Sequence, residues 1–170
     1  TLAPLQPAYV STVDSGNLAG ALLTLAVGLR TLADVRPASP AAAAQTGRLQ
    51  NLAARASAFV DAMTFTRLYD AERQLFAIGF RPDDTGRRGG LDASYYDLLA
   101  SEARLASFIA IAKGEIPEEH WFRLGRSLTS VGGAPVLLSW SATMFEYLMP
   151  LLVMRSFPET LLDASCRMLV

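Results

Sequence analysis

The hydrophobic positions of this chain change period along its length, and the changes mark its elements. From Leu18 to Ala33 apolar residues (Leu22, Leu23, Leu25, Val27, Leu29) fall nearly all the way round a helical wheel, which predicts a buried helix. Ahead of it, the polar stretch YVSTVDSGN at 9–17 supplies Asp14, Ser15 and Asn17, each suited to cap a first turn. Arg36-Pro37 to Pro40 breaks the pattern, because a residue before proline is biased away from helix. From about Ala41 to Met63 the residues Leu49, Leu52, Ala53, Ala56, Phe59, Val60 and Met63 step along one face, and Arg48, Asn51 and Arg55 fall elsewhere. Two helices joined by a short proline-rich turn predict an antiparallel α-hairpin.

The helical period is lost between Phe65 and Gly90. Gln74 to Phe80 has extended character and predicts a strand of a minor hairpin, and RPDDTGRRGG reads as a loop with strong turn signals. Leu91 to Gly114 then predicts a single helix, capped by Asp92 or Ser94 and closed by Gly114. Leu98, Leu105 and Ile109 share one face of that helix, and Glu102 lies on the same face. Pro117 opens a short helix with Glu118 and Glu119 in the turn where acids suit the helix dipole. HWFRLGRSLTSVGG ends in a glycine pair, PVLLSW is strand-like, and Thr143 to Glu146 forms a capping box opening another helix. Pro150 should kink or shorten that helix, and Ser156 with Glu159 repeats the capping box before a last one. The pattern implies a mainly α protein of helical hairpins with a small β-hairpin element. Its helix-pair rhythm suits an α/α toroid.

Composition sharpens the picture. The 170 residues are 51% apolar and only 18% charged, so the chain is rich in core-forming and poor in surface-forming residues. Either a membrane or another part of a larger body must cover the excess. The longest charge-free run, Ser127 to Phe145, contains Gly132, Gly133, Pro135 and several hydroxyls and makes a poor spanning segment; Ser15 to Leu29 is more apolar but short. No direct membrane span is expected. The chain begins at Thr1 without a signal-like segment and stops at CRMLV within a helical pattern, which reads as one fragment excised from a larger domain. A net charge of −1 with interspersed signs argues against a nucleic-acid surface. The single cysteine, Cys166, excludes an internal disulfide. One histidine and one cysteine make neither a metal site nor a metal cofactor.

Candidate chemistry centres on two carboxylates. Burial of Glu102 on an apolar face would raise its pKa and favour a proton donor; the structural alternative is an ion pair with Arg104, Arg123 or Arg126. Glu146 either has a functional role or simply bonds back to its cap at Thr143. Asp70, Glu72 and Asp92 suit caps or solvated charges. Tyr95, Tyr96, Trp121, Phe122, Trp140, Phe145 and Tyr147, together with Arg126, would suit a carbohydrate cleft or ordinary core packing. His120 reads as a packed or exposed histidine and not a ligand.

Five long stretches carry a resemblance: YVSTVDSGNLAG (9–20), LYDAERQLFAIGF (68–80), LDASYYDLLASEARLASFIAIAKG (91–114), HWFRLGR (120–126) and SWSATMFEYLMPLL (139–152). In this order they resemble the glycoamylase-like central domain of cyclic β-1,2-glucan synthases, large bacterial inner-membrane enzymes. Ala142 departs from the pattern, where a glycine is expected. The resemblance implies that residues 1–170 are roughly the first half of an (α/α)₆ toroid on the cytoplasmic side of the membrane. It implies an enzyme domain that closes a linear β-1,2-glucan into a ring by retaining transglycosylation, with no cofactor. The acid/base glutamate is then expected at Glu102 of the SEAR motif, and the nucleophile in a later motif absent from these 170 residues. Asp14, Asn17, Tyr95, Tyr96, Asp97, Trp121, Arg126, Trp140 and Glu146 are expected as subsite residues. The partners implied are the β-1,2-glucan chain and the remaining domains of the same synthase. The other readings are a non-catalytic β-glucan-binding module and a β-1,2-glucan hydrolase.

Overall fold

The computed structural model describes residues 8–34, 40–82 and 89–169. The proline break at 36–39, the centre of the charged loop at 83–88, the first seven residues and the last one lie outside them. About half of the described chain is helical and the rest includes three small sheets, compatible with a mainly α protein.

Helix α1 (Thr12–Ala33) and helix α2 (Pro40–Ala62) form the expected hairpin. Ala26 packs with Ala53 and Ala56, and Ala19 shares a core with Val60, so the two helices run antiparallel. The start of α1 is earlier than the apolar pattern suggests. Strand β1 (Val10–Ser11) fixes the chain, and Ser11 is the cap, its Oγ accepting the Asp14 N–H at 3.2 Å. Asp14 therefore sits in the first turn, and Ser15 and Asn17 sit inside the helix. Thr12 locks the start from below, donating through N and Oγ1 to the carbonyls of Ile78 (3.0 Å) and Ala77 (2.6 Å).

The buried face of α1 also differs from expectation. Gly16, Ala19, Gly20, Ala26 and Ala33 point inward, and Leu18, Leu25, Val27 and Leu32 stand exposed. Small residues allow neighbouring helices to approach closely, so the large ones are left outside. By length and composition α1 is apolar enough to cross a membrane, yet it is packed on both α2 and α3 (Arg104–Ala112).

Leu91 to Gly114 is not one helix. Hydrogen-bonding partners on neighbouring strands capture its first part. Strand β5 (Gly90–Leu91) pairs with β4 (Gly79–Arg81), and β6 (Tyr95–Tyr96) pairs with β3 (Leu75–Ala77). Asp92 caps nothing helical: its Oδ1 accepts the Ser94 N–H in a local turn. Leu98 bridges to Gly125, and only Arg104 to Ala112 is helical. The exit is as expected, with Gly114 at φ +70° and N–H groups of Gly114 and Glu115 returning to Ile111 and Ala110.

The strand expected over Gln74–Phe80 is two strands in different sheets. Strand β3 lies between β2 (Tyr69–Asp70) and β6, whereas β4 lies between β1 and β5. Ile78 makes the crossing, its N–H bonded to Ser94 and its carbonyl to Thr12. Farther on, α4 (Glu119–Arg123) begins after Pro117 and not at it. Strands β7 (Leu128–Val131) and β8 (Ala134–Leu137) form a hairpin through Gly132 and Gly133, both at positive φ as a two-residue turn requires. The Thr143 capping box opens α5 (Met144–Leu148), and Pro150 shortens it into a 3₁₀ turn at Met149–Leu152. The last helix, α6 (Leu161–Met168), is capped by Thr160 and not Ser156; Ser156 donates instead to Asp163 at 2.9 Å.

Two main cores result. One joins α1, α2 and α3 to the β3 region through Phe65, Leu68, Phe76, Leu105 and Ile109. The other joins β8, α5 and α6 through Leu99, Val136, Leu137, Tyr147 and Cys166. The turn Ser101–Ala103 connects them along the chain, between Ala100 of the second core and Leu105 of the first.

Candidate active site

Glu102 occupies that turn, immediately before α3, rather than a helical face. The turn is held from inside: Ser101 Oγ accepts the Ala103 N–H at 3.2 Å, and the Ser101 carbonyl accepts the Arg104 N–H at 3.2 Å. Glu102 is half-buried. Among the described residues no cation pairs with it, so the anticipated ion pairs are not formed. Arg104 points away and binds backbone carbonyls, and Arg126 caps α4, donating to the carbonyls of Trp121 (2.8 Å) and Leu124 (2.5 Å). Burial raises the Glu102 carboxyl pKa, and the negative charges of Glu146 and Asp14 raise it further.

Glu102 opens on a cavity of about 330 Å³, lined also by Ile78, Tyr96, Ser101, Trp140, Ser141, Thr143, Phe145 and Glu146. Tyr96 reaches it because successive strand residues face opposite ways. Burial, then the Glu102 charge, push its phenol up to about 12. Tyr95 faces the other side, where its hydroxyl donates to Asp70 at 2.8 Å. Trp140 is 58% exposed on the cavity rim, an apolar plane open to a ligand.

Glu146 is 7% exposed and surrounded by donors from its own loop. Its carboxylate accepts from the N–H groups of Trp140 (3.0 Å), Ser141 (3.2 Å) and Thr143 (3.0 Å). The hydroxyls of Ser139, Ser141 and Thr143 add bonds of 3.2, 3.0 and 3.0 Å. Burial pushes this carboxyl up, but the bonds from Thr143 and Ser141 outweigh it and hold the pKa below the ordinary value. Its acceptor capacity is filled by the loop, so it meets the cavity chiefly as a fixed negative charge.

The other expected site residues divide by place. Asp14 is exposed and close enough to bear on both Glu102 and Tyr96. Asn17, one turn on, holds a buried Oδ1 with no donor among the described residues. Asp97 is exposed, and its carbonyl accepts the Gly125 N–H at 2.6 Å. Trp121 and Arg126 line a different, largely apolar cavity of about 550 Å³ between α3, α4 and α6. The pattern of charges and rings did not single out Ser139, Ser141 and Thr143 for the site. The density of hydroxyls in SWSAT, just ahead of a capping box, was the available signal. His120 is a packed residue: fully buried, with Nδ1 2.9 Å from the Gln74 carbonyl and Nε2 2.8 Å from Ser107 Oγ.

No family model matches the chain. A search among curated proteins found cyclic β-(1,2)-glucan synthase NdvB of Rhizobium meliloti (strain 1021), 46% identical over 123 residues. The match covers 72% of this chain and 4% of the relative, so the chain spans only a small part of that protein's length. By this identity the chain is related to the cyclic β-(1,2)-glucan synthases, as the counterpart of a short segment of one.

Proposed function

We propose that this segment carries the acid/base part of a transglycosylase site that closes linear β-1,2-glucan into a ring within a cyclic β-1,2-glucan synthase. The observation that carries the reading is Glu102: a half-buried carboxyl with a raised pKa, sharing an open cavity with Tyr96 and Trp140. Protonated Glu102 gives its proton to the glycosidic oxygen as the bond to the anomeric carbon breaks. A second carboxylate, expected in a later motif outside these residues, attacks that carbon and forms a glycosyl ester. The Glu102 carboxylate then takes the proton of a glucan 2-hydroxyl, whose oxygen attacks the anomeric carbon and expels the nucleophile. Trp140 offers a ring to sugar C–H groups, and Asp14, Asn17 and Tyr96 supply polar groups beside them. Glu146 shapes the subsite by holding the 139–143 loop.

The same reading makes the chain part of a glycoamylase-like (α/α)₆ domain, on the cytoplasmic side of a bacterial inner-membrane enzyme. The exposed apolar residues of α1 and α2 would be covered by other parts of that enzyme. The test uses the complete synthase, incubated with purified linear β-1,2-glucan and followed by mass spectrometry. Wild type should yield cyclic glucan; Glu102→Gln should yield none while still binding linear glucan. Normal cyclisation by the variant overturns the role of Glu102. Shortened linear chains from wild type would mark a hydrolase, and binding without any product a glucan-binding module.

A further inference from the structure

Arg104 follows the Glu102 turn directly and is 2% exposed, one of the largest fully buried side chains in the described structure. A buried guanidinium is costly unless its donors are used. Here no carboxylate meets it among the described residues. Its partners are three backbone carbonyls. Nη1 donates to Ser101 at 3.0 Å and to Glu146 at 2.6 Å, and Nη2 donates to Tyr147. The first belongs to the turn that bears Glu102; the other two belong to α5.

Sequence explains why α5 needs this cation. A helical carbonyl bonds the N–H four residues on, and for Glu146 that residue is Pro150, which has none. The helix ends there, and its last carbonyls, at the negative end of its dipole, take partners from outside it: Arg104 for Glu146 and Tyr147, and Cys166 Sγ at 3.4 Å for Tyr147 as well. One planar guanidinium thus caps α5 and reaches back to the Ser101 carbonyl. A lysine carries the same charge but not the fork.

We propose that Arg104 is a positioning residue for the transglycosylation inferred above: it ties the Glu102 turn to the helix of Glu146 and so fixes the distance between the two carboxylates. The proposal rests on that functional reading but is tested apart from it.

The experiment places Arg104→Lys and Arg104→Met in the complete synthase. Cyclisation of linear β-1,2-glucan is measured across pH, and each variant is imaged by cryo-electron microscopy. The Met variant should show the Ser101–Ala103 turn displaced from α5. Its kcat should fall tenfold or more with KM for linear glucan unchanged, in the range of a small misplacement of a catalytic group. Its basic limb should move to lower pH, as Glu102 leaves the field of Glu146. The Lys variant should recover part of kcat. An undisplaced turn, or full kcat and an unchanged pH profile with the turn displaced, overturns the proposal. If Arg104→Met does not fold, the same readings are taken on Arg104→Lys. Should wild type form no cyclic glucan, the transglycosylase reading fails, and the maps still decide whether Arg104 positions the turn.

Discussion

Glu102 and Glu146 line one cavity with their carboxyl groups displaced in opposite directions, the first held toward its protonated form and the second toward its ionised form. Such a split is what the proposed reaction requires of a proton donor beside a fixed charge. Burial is the larger cause for Glu102, but the charges of Glu146 and Asp14 contribute. Removing either charge should therefore lower the Glu102 pKa. With Glu102 as the acid of the proposed transglycosylation, the rate of the complete synthase falls as pH rises through that pKa, so Asp14→Asn should move the basic limb of the pH–rate profile to lower pH. Asp14 is exposed, which spares the fold. Glu146→Gln should shift the limb the same way while also lowering Tm, because its loop loses a charged acceptor. A limb that stays in place in both variants would show that these charges do not act on the proton donor.

Ala142 lies between the two serines and the cap that surround Glu146, at φ +53°. An L-residue in this left-handed region carries a penalty of roughly 1–2 kcal/mol that glycine escapes. Glycine loses more chain entropy on folding, which offsets roughly half of the gain. Ala142→Gly should stabilise the protein by about 0.5–1 kcal/mol, read as a rise in Tm. The glycine expected at this position from the family pattern thus has a backbone reason. A fall in Tm would show that the loop does not hold this geometry in solution.

What the sequence revealed and what it hid follow from the range of the interactions. The α1–α2 hairpin, the Thr143 capping box, the Gly114 exit and the effect of Pro150 depend on residues within one or two turns, and each was legible. Leu91–Ala103 misled because its partners are remote: Phe80 for Leu91, Phe76 for Tyr96, Gly125 for Leu98. Tertiary strand pairing overrode a plausible helical pattern. Glu102 emerged as the candidate donor, but by way of an apolar helix face that does not exist. The partial burial of Glu102 comes instead from the turn ahead of α3. The inward face of α1 was hidden for another reason, since leucines draw the eye and glycines make the contact.

That contact has a sharp consequence at Gly16. A Cβ placed there would lie 2.8 Å from both Cβ and N of Ala106, and the backbone of α3 cannot move aside as a flexible side chain would. Gly16→Ala should cost about 1–3 kcal/mol by overpacking, although alanine is the better helix former. In α1, Gly28 meets nothing within 4 Å, so Gly28→Ala should be neutral or stabilising. Paired denaturant melts of the two variants check the sign. Equal midpoints would mean that α1 does not sit this close to α3.

His120 gives a pH dependence of stability that is separate from the site. The Gln74 carbonyl can only accept, so Nδ1 carries the proton, and Nε2 accepts from the Ser107 hydroxyl. Tyr69 and Phe76 pack edge-on against the ring. Burial lowers the pKa of His120, overcoming the opposing bond to Gln74. The unfolded chain takes up a proton near pH 6.5, and the folded one resists it to lower pH. The contribution of His120 is therefore complete above about pH 6.5 and is lost as pH falls through the depressed folded value. Denaturant melts should show stability declining as pH falls below about 6.5. In His120→Asn, which lacks the titration, the whole curve should be lower and this part of its slope should vanish. An unchanged slope in that variant would assign the acid sensitivity to other groups.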